Sequence, residues 1–519
     1  MIKRTAAAFL MSVLIMTAGS FAQQNRKSLS LDECIADALR NNLRVAVEVM
    51  NPNIADTTVT RAGEKFIPSL SFGYSNRETN TASYSWIDAA DLVRVAYNDY
   101  SIDVNQLIPT GGIFSLSLSS YKNDTNRSFQ TINPRYGSTL TFSFAQPLLK
   151  NFGFKMNRRE IIIAKNNREI SEHDLHQTLL DTIYRVEEAY WMLAYSIEDL
   201  KVKRQSLQLA RDLLEENKRK IEVGTLPPIE IFTAESEVAN READILQADR
   251  LVKNYQDRLK KILNLPIFEE GEPTEIIPSD RPDFERRVIG IEEALATALA
   301  NRPDLKAEKV NLQTREFNLS YAKNQLLPDL RLQASYWSPG ISGTQILYLD
   351  DNPLTRVVVG EVPGAATDAL KDAFKFRYNN WSVGLTLDIP LNTVFTRAQH
   401  AEAKLSLEQA QLRLQDQEQE IFLEIKTSAR DVEINYERVQ AYRAARELAE
   451  KKLEAEQEKF KVGKSTNFFL LQYQRDVADA RTAELRSMVD YMLSLARLDM
   501  AMGTTLETKN IRFSDIAYR

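Results

Sequence analysis

The sequence predicts a mainly α protein with a membrane β-barrel part, and three observations carry that prediction. Glycine is scarce, 17 in 519 residues, while Ala, Leu, Glu, Gln, Lys and Arg fill long uninterrupted tracts, the composition of long helices. Four tracts of about ten residues alternate apolar with small polar side chains, the pattern of a tilted membrane strand with one dry and one wet face. The chain also repeats itself at a spacing of roughly half its length, so one helical and strand unit is expected twice.

Residues 1–22 read as a signal peptide: Lys3 and Arg4 form a basic start, Ala6 to Thr17 an apolar run, and Ser20-Phe21-Ala22 a small-residue cleavage site. Losing Lys3 and Arg4 takes the formal net charge from −6 to −8, which argues against a nucleic-acid partner. No later apolar stretch reaches about 18 residues, so no membrane-spanning helix is expected. The single cysteine, Cys34, cannot form an internal disulfide and falls on a helical pattern, where a small buried side chain is the natural reading.

Repeat one is expected over 23–265: a short helix, a second helix, a strand pair over 66–149, a long helix over 155–223, a tip at 224–228 and a helix over 229–264. A proline-rich acidic linker follows at 266–288. Repeat two is expected over 289–506: helices within 291–327, a strand pair over 328–391, a long helix over 396–462, a tip at 463–466 and a helix over 467–503. Residues 507–519 form a tail.

The correspondences are specific. LSLDECIADALRNN (29–42) matches IGIEEALATALANRP (289–303), and Pro68 and Pro328, each opening a strand, stand 260 apart. FSFAQPLL (142–149) matches LTLDIPLN (385–392) at a spacing of 243, and the Val-Gly pairs 223–224 and 462–463 follow at 239. The first drop places a 17-residue excess between Pro68 and Pro147, and the second makes the first long helix about one turn longer than the second.

At about 1.5 Å per residue the long helix of each repeat is near 100 Å, and the helix beyond its tip covers about half of that. The helices at 44–66 and 305–327 supply the missing lengths, so two short helices stacked end to end can run antiparallel to one long one. In the second long helix, Ile421, Ile425, Ala429, Val432, Tyr436, Val439 and Tyr442 recur every three or four residues, a seam for coiled-coil packing.

The strands alternate Leu70, Phe72 and Tyr74 with Ser69, Ser71 and Ser75, and Leu140, Phe142 and Phe144 with Thr139, Thr141 and Ser143. In the second repeat, Leu330, Leu332, Ala334 and Tyr336 and then Val383, Leu385, Leu387 and Ile389 behave alike. Four strands cannot enclose a wet lumen, and open edges in lipid leave backbone groups unpaired. Closure must come from other chains. Three copies of four strands give a twelve-stranded barrel, and the same symmetry gathers the long helices into a second, helical barrel. DYSIDVNQLIPTGGIFSLSLSS (99–120) adds two alternating tracts around Pro109-Thr110-Gly111-Gly112. It reads as a hairpin extending the extracellular end, with six strands per chain as the open alternative.

Gly463-Lys464-Ser465-Thr466 copies the end of a phosphate-binding loop, but the position that needs the earlier glycine is Glu458 and the preceding tract is helical, so nucleotide binding is rejected. Lys220, Val223 and Gly224 match Lys459, Val462 and Gly463. What repeats is a helix, a glycine stop and a new helix.

These elements together resemble the TolC-type outer-membrane efflux proteins, the exit ducts of tripartite exporters. The resemblance covers essentially the whole mature chain and rests on the duplicated LSLDECIADAL and IGIEEALATAL openings, Pro68 and Pro328 entering strands, QPLLKNFG (146–153) leaving one, and the two Val-Gly tips. It implies a homotrimer in the outer membrane of a Gram-negative-type bacterium, with a helical tunnel in the periplasm. It also implies passive conduction from an inner-membrane pump of the RND or ABC type through a periplasmic adaptor, in efflux or type I secretion.

By the same resemblance, Val223, Gly224, Thr225, Val462, Gly463, Lys464 and Ser465 would dock the adaptor. The family's acidic positions after the second glycine are Phe469 and Gln472 here, so an acidic ring is not expected. Phe468 or Phe469 would form an apolar constriction beside Gln472, with Glu230 supplying local charge; packing of both phenylalanines between helices is the competing reading.

No catalytic, cofactor or metal site is expected. His173 and His176 share a helix face but lack a third ligand, and no nucleophile arrangement or carboxylate pair stands out. A periplasmic coiled-coil scaffold or adaptor without a pore is the alternative, for which wet-faced strands would have no purpose.

Overall fold

The computed structural model describes residues 26–84, 88, 90–267, 274–282 and 284–512. The expected signal peptide and the end of the tail lie outside these residues. The elements in order are β1 (Arg26–Leu29), α1 (Leu31–Asn41), α2 (Leu43–Ala62), β2 (Ser69–Ala82), β3 (Leu92–Leu107), β4 (Ile113–Thr125) and β5 (Ile132–Pro147). Then come α3 (Arg159–Glu222), α4 (Ile229–Ile262), β6 (Glu275–Pro278), α5 (Ile291–Asn301), α6 (Pro303–Gln325) and β7 (Asp329–Tyr348). The chain ends with β8 (Val358–Val362), α7 (Ala366–Phe374), β9 (Asn380–Asp388), α8 (Val394–Lys461) and α9 (Asn467–Met502), before a last single turn at Thr505–Thr508. Two compact units result: residues 54–169 with 310–412, and the remainder.

The first unit holds one antiparallel sheet in the order β2-β3-β4-β5-β7, with β8 and β9 both pairing β7. The expectation of four strands per chain is corrected here: six long strands and the short β8 make the sheet. The 99–120 hairpin is not an extension but the middle of it. Pro109-Thr110-Gly111 closes a tight turn, with Gly111 at φ 96° and the Ile108 N–H donating to the Gly112 carbonyl at 2.6 Å, so β3 and β4 pair from Val95 opposite Thr125 to Leu107 opposite Ile113. A tight turn read as a loop tip at the outer end is in fact the return at the opposite end.

The register puts every apolar tract in phase. Leu70 lies opposite Val104, then Leu116, Phe142, Tyr336 and Trp381 follow in line across the sheet. The other face carries Ser71, Asp103, Ser117, Thr141, Trp337 and Asn380 in the same way, mostly small and polar. Short hydrogen bonds tie that face together, Ser117 to Asp103 at 2.5 Å and Ser115 to Asn105 at 2.6 Å. The second-half strands are joined by a long connection in which α7 lies against β5 and β7. Ala369 and Ala373 bury on Gly340, where a Cβ would stand 2.0 Å from the Ala369 carbonyl oxygen, and Phe376 packs on Phe142 and Tyr336.

The other unit is helical around two larger cores and a small third one. Leu175, Leu179, Ile183, Val186 and Leu193 of α3 bury against Cys34, Ile35 and Ala38 of α1 and Leu259 of α4. Ile421, Ile425, Val432 and Val439 of α8 bury against Ala294 and Ala298 of α5 and Tyr491 and Leu498 of α9, occupying the seam read from the sequence. Each such burial is worth roughly 1.5–3 kcal/mol, well above an exposed ion pair at about 0–1 kcal/mol, so these layers and not the many surface charges hold the unit.

Short helices abut end to end at two junctions. Asn42 accepts the Arg44 N–H at 2.8 Å, capping α2, while its Nδ2 donates to the Ile262 carbonyl of α4 at 2.7 Å. Arg302 does the same work before α6, donating to the Ala501 carbonyl of α9 at 3.2 Å and to Asp304 and Glu424 at 2.6 and 2.5 Å. Burial opposes the charge of Arg302, yet those two carboxylates hold its pKa above the ordinary value.

Two further points depart from the sequence reading. The first long helix has 64 residues and the second 68, the reverse of the expected order, because residues 148–158 form a turn with Gly153 at φ 95° and a separate turn of helix at Phe154–Asn157. Part of the linker is structured: β6 pairs β1 in parallel, and Tyr190 Oη sits 3.1 Å from the Leu29 carbonyl and 3.0 Å from Asp280 Oδ2, pinning both. Burial of the Tyr190 ring pushes its hydroxyl up to about 12.

Candidate functional site: the two hairpin tips

Helices α3 and α8 end in the same way. Gly224 takes φ 75° and its N–H donates to the Ile221 carbonyl at 2.9 Å, while the Thr225 N–H reaches the Lys220 carbonyl at 2.8 Å. Gly463 takes φ 73°, donates to Phe460 at 3.0 Å, and the Lys464 N–H reaches Lys459 at 2.9 Å. Nothing stands within 4 Å of a Cβ at either glycine, so the left-handed backbone alone demands glycine there. The Lys-Ser-Thr that follows Gly463 is therefore part of a helix stop. Lys464 is exposed and the Ser465 hydroxyl donates to Glu456, so no ring of N–H groups cradles a phosphate.

Behind the tips the four helices share a small core, in which Ala210 and Leu213 of α3 meet Leu470 and Leu471 of α9, with Val238, Leu453 and Phe460 packed around them. One side chain knits the two hairpins. Arg241 of α4 is 3% exposed and donates to the Ser206 carbonyl at 2.6 Å, the Leu471 carbonyl at 3.1 Å, Gln474 at 3.3 Å and Glu237 at 2.9 Å. Burial lowers its pKa, and the Glu237 carboxylate opposes that shift. Arg475 of α9 reaches the same Glu237 at 2.5 Å. Nearer the tips, buried Asn467 donates to Glu230 at 3.0 Å, and the Lys220 ammonium lies 4.5 Å over the Phe460 ring. The buried amide of Asn217 and the Asn467 carbonyl oxygen have no partner among the described residues.

The sequence-predicted residues divide accordingly. Val223 and Val462 stand 73% and 68% exposed, and Gly224, Thr225, Gly463 and Lys464 are exposed with them. Phe468 and Phe469 are exposed too, their rings 5.6 Å apart, and Gln472 is exposed one turn on. Glu230 is half-buried and engaged with Asn467. Arg241, Glu237, Arg475 and Asn467 were missed, because in a charged helical tract an arginine bound for burial looks like one on a solvated face. Ile229 and Phe232, exposed beside Glu230, were also missed.

Elsewhere, Cys34 is fully buried and burial pushes its thiol up to about 12, an unreactive state. Burial, with the charges of Lys306 and His173, lowers His176 to about 4. Among the described residues no group of three or more His, Cys, Asp or Glu is placed to hold a metal, and no helix is long and apolar enough to cross a membrane.

The model of the outer membrane efflux protein family matches residues 34–265 and 294–504, spanning both hairpins and both strand regions. The chain belongs to the outer membrane efflux protein family. Outer membrane protein TolC of Vibrio cholerae is 22% identical over 326 residues, 63% of this chain and 68% of that protein. Toxin and drug export protein A of Aggregatibacter actinomycetemcomitans is 20% identical over 245 residues, and the chain spans about half of it (52%). Among solved structures, the Campylobacter jejuni CmeC outer membrane channel superposes with a TM-score of 0.61 at 16% identity over 96% of this chain and 95% of that one. The open Neisseria gonorrhoeae MtrE channel gives 0.61 at 18%, over 93% and 95%. The fold is thus that of solved outer-membrane channels. As a member of the efflux-protein family the chain is an outer-membrane exit duct that extends into the periplasm, and its relatives are channels, not enzymes.

Proposed function

We propose that this duct works as a homotrimer that passively conducts substrates handed over by an inner-membrane pump of the RND or ABC type, and that its hairpin tips dock the periplasmic adaptor. One observation carries the docking: each tip presents an exposed valine on a glycine cap that its own hydrogen bonds hold rigid, Val223 beside Thr225 and Val462 beside Lys464 and Ser465. Exposed apolar side chains on a rigid backbone bind at little entropic cost. Exposed Phe468 and Phe469, with Gln472, form an apolar constriction at the mouth, and Glu230 supplies the nearest carboxylate. The internal duplication of helix, strands and hairpin supplies two similar tips from one chain. A pore-free scaffold would have no use for a sheet whose two edge strands expose their apolar side chains, Phe72 and Trp381 both at 73%.

Two measurements test this. The native mass of protein extracted from the outer-membrane fraction in mild detergent is expected to be that of three chains, and a monomer overturns the trimer. Val223→Asp with Val462→Asp is expected to leave that mass unchanged, abolish adaptor co-purification and stop dye export. Retained co-purification rejects the tips as the docking site. Phe469→Ala raises single-channel conductance if the constriction is real; an unchanged conductance and salt response removes it.

A further inference from the structure

We propose that the junction where α1 meets α2 binds a phosphomonoester carrying an apolar group, its phosphate held by Arg44, Arg185 and Lys261. The proposal concerns this one junction and rests on neither the trimer nor the docking tips.

The two junctions of the chain share one construction and carry opposite charge. The repeat spacings of 260 and 239 set Asn42 against Arg302, Arg44 against Asp304 and Arg185 against Glu424. Burial supports this matching, since Val45 and Leu305 are both buried, as are Leu259 and Leu498. The backbone agrees, with Asn264 and Gly503 turning left-handed at φ 54° and 72°. Asn42 donates to the Ile262 carbonyl just as Arg302 donates to that of Ala501.

The second junction is closed by its own side chains. The Arg302 guanidinium fills it, with Asp304 at 2.6 Å and Glu424 at 2.5 Å taking its donors and Gln417 donating to Asp304 at 2.8 Å. In the first junction an amide takes the place of that cation, and arginines take the places of both carboxylates. There the helices leave a cavity of about 630 Å3, within the roughly 300–1,000 Å3 usual for small-molecule sites. Arg44, Arg185, Arg258 and Lys261 line it, and among the described residues no carboxylate does.

Local structure does not account for these charges. Arg44 stands in the first turn of α2, which holds no acid, and the helix dipole there disfavours a cation; the first turn of α6 has Asp304 at the matching place, as the dipole favours. Asp181 reaches Arg44 at 3.6 Å and Glu188 reaches Arg258 at 2.5 Å, whereas Arg185 and Lys261 pair with no carboxylate among the described residues. Two unanswered positive charges call for a dianion. A phosphomonoester is close to one at neutral pH, and the planar guanidinium fork matches its oxygens. Leu43, Leu265 and Ile267 make another part of the wall apolar, with Leu43 66% exposed at the rim, so the ester's substituent is apolar too. Bound there, the anion ties α2, α3 and α4 together as Arg302 ties α6, α8 and α9.

The test is binding to the purified protein in a neutral detergent, read by phosphorus NMR saturation transfer and by thermal unfolding at fixed ionic strength. Phenyl phosphate and dihexanoyl phosphatidic acid are the probes, a free ester and a lipid headgroup, and the tighter of the two identifies the source. At least one is expected to bind about tenfold more tightly than inorganic phosphate and to raise the Tm, and Arg185→Glu to weaken it about tenfold. The triple variant Asn42→Arg, Arg44→Asp, Arg185→Glu copies the closed junction, so it should fold and bind neither probe. Failure of both probes to bind the unaltered protein, inorganic phosphate binding as tightly as they do, or undiminished binding by the triple variant overturns the proposal. So does binding that appears only after Glu269, Glu270 and Glu272 are replaced by Gln, which would make the linker's own acids the occupant.

Discussion

The two tips of one chain share a backbone and differ in nearly everything else. Gly224 and Gly463 adopt φ values of 75° and 73° and close the same pair of carbonyls. Around them, Pro227, Pro228, Ile229 and Phe232 are exposed at one tip, and Lys464, Thr466, Phe468 and Phe469 at the other. The turn is fixed by stereochemistry, since only glycine holds a left-handed helix stop without strain, whereas exposed side chains on it are free to diverge. One chain can thus keep two like helix stops while presenting two chemically different tip surfaces.

The bonds between the hairpins are the first place to break this comparison. Arg241→Ala leaves the Ser206 and Leu471 carbonyls without their buried donor, while Glu237 keeps Arg475, a loss of about 2–3 kcal/mol from the unsatisfied acceptors. Hydrogen exchange is expected to rise in α4 and α9 together; a rise confined to α4 would mean the hairpins are held by other contacts. Next come Gly224→Ala and Gly463→Ala, each costing about 1–2 kcal/mol from the left-handed backbone. Since neither site is crowded, the two losses should be equal in thermal unfolding, and unequal losses would show that the stops are not equivalent.

Asn467→Ala removes the bond to Glu230 and, with it, an amide whose oxygen has no partner, so its cost should be about 1 kcal/mol or less. Glu230→Gln keeps the shape and should change cation selectivity more than stability. A control lies away from the tips. His176 is held near 4 when folded against an ordinary 6.5, so the unfolded chain takes up the proton first. Stability is expected to fall as pH drops from about 6.5 to 4, and His176→Gln should flatten that slope without altering the ranking of the tip variants.

Much of this molecule could be read before any coordinates. The seam from Ile421 to Val439, the glycine stops and the alternating strands all follow from local periodicity, where one residue's environment depends on neighbours three, four or two positions away. Even the apolar phase of Ile102 and Leu118 was visible, though it was assigned to an outlying hairpin, because alternation does not say which strand lies beside which. Sequence period also misjudged the long helices, since the turn at Gly153 takes residues that spacing credited to α3.

The sequence by itself determined the kind of elements, their order and the family, because helix stops, strand alternation and the two-fold pattern are local properties of the chain. Tertiary structure alone decided that the tight turn at Pro109–Gly112 inserts two strands into the middle of the sheet, that β1 and β6 pair, and that Arg241 is buried between two hairpins. Each is a contact between residues 14 to 249 positions apart, set by register and packing, and no pattern along the chain encodes which distant partner will satisfy a given backbone edge or buried charge.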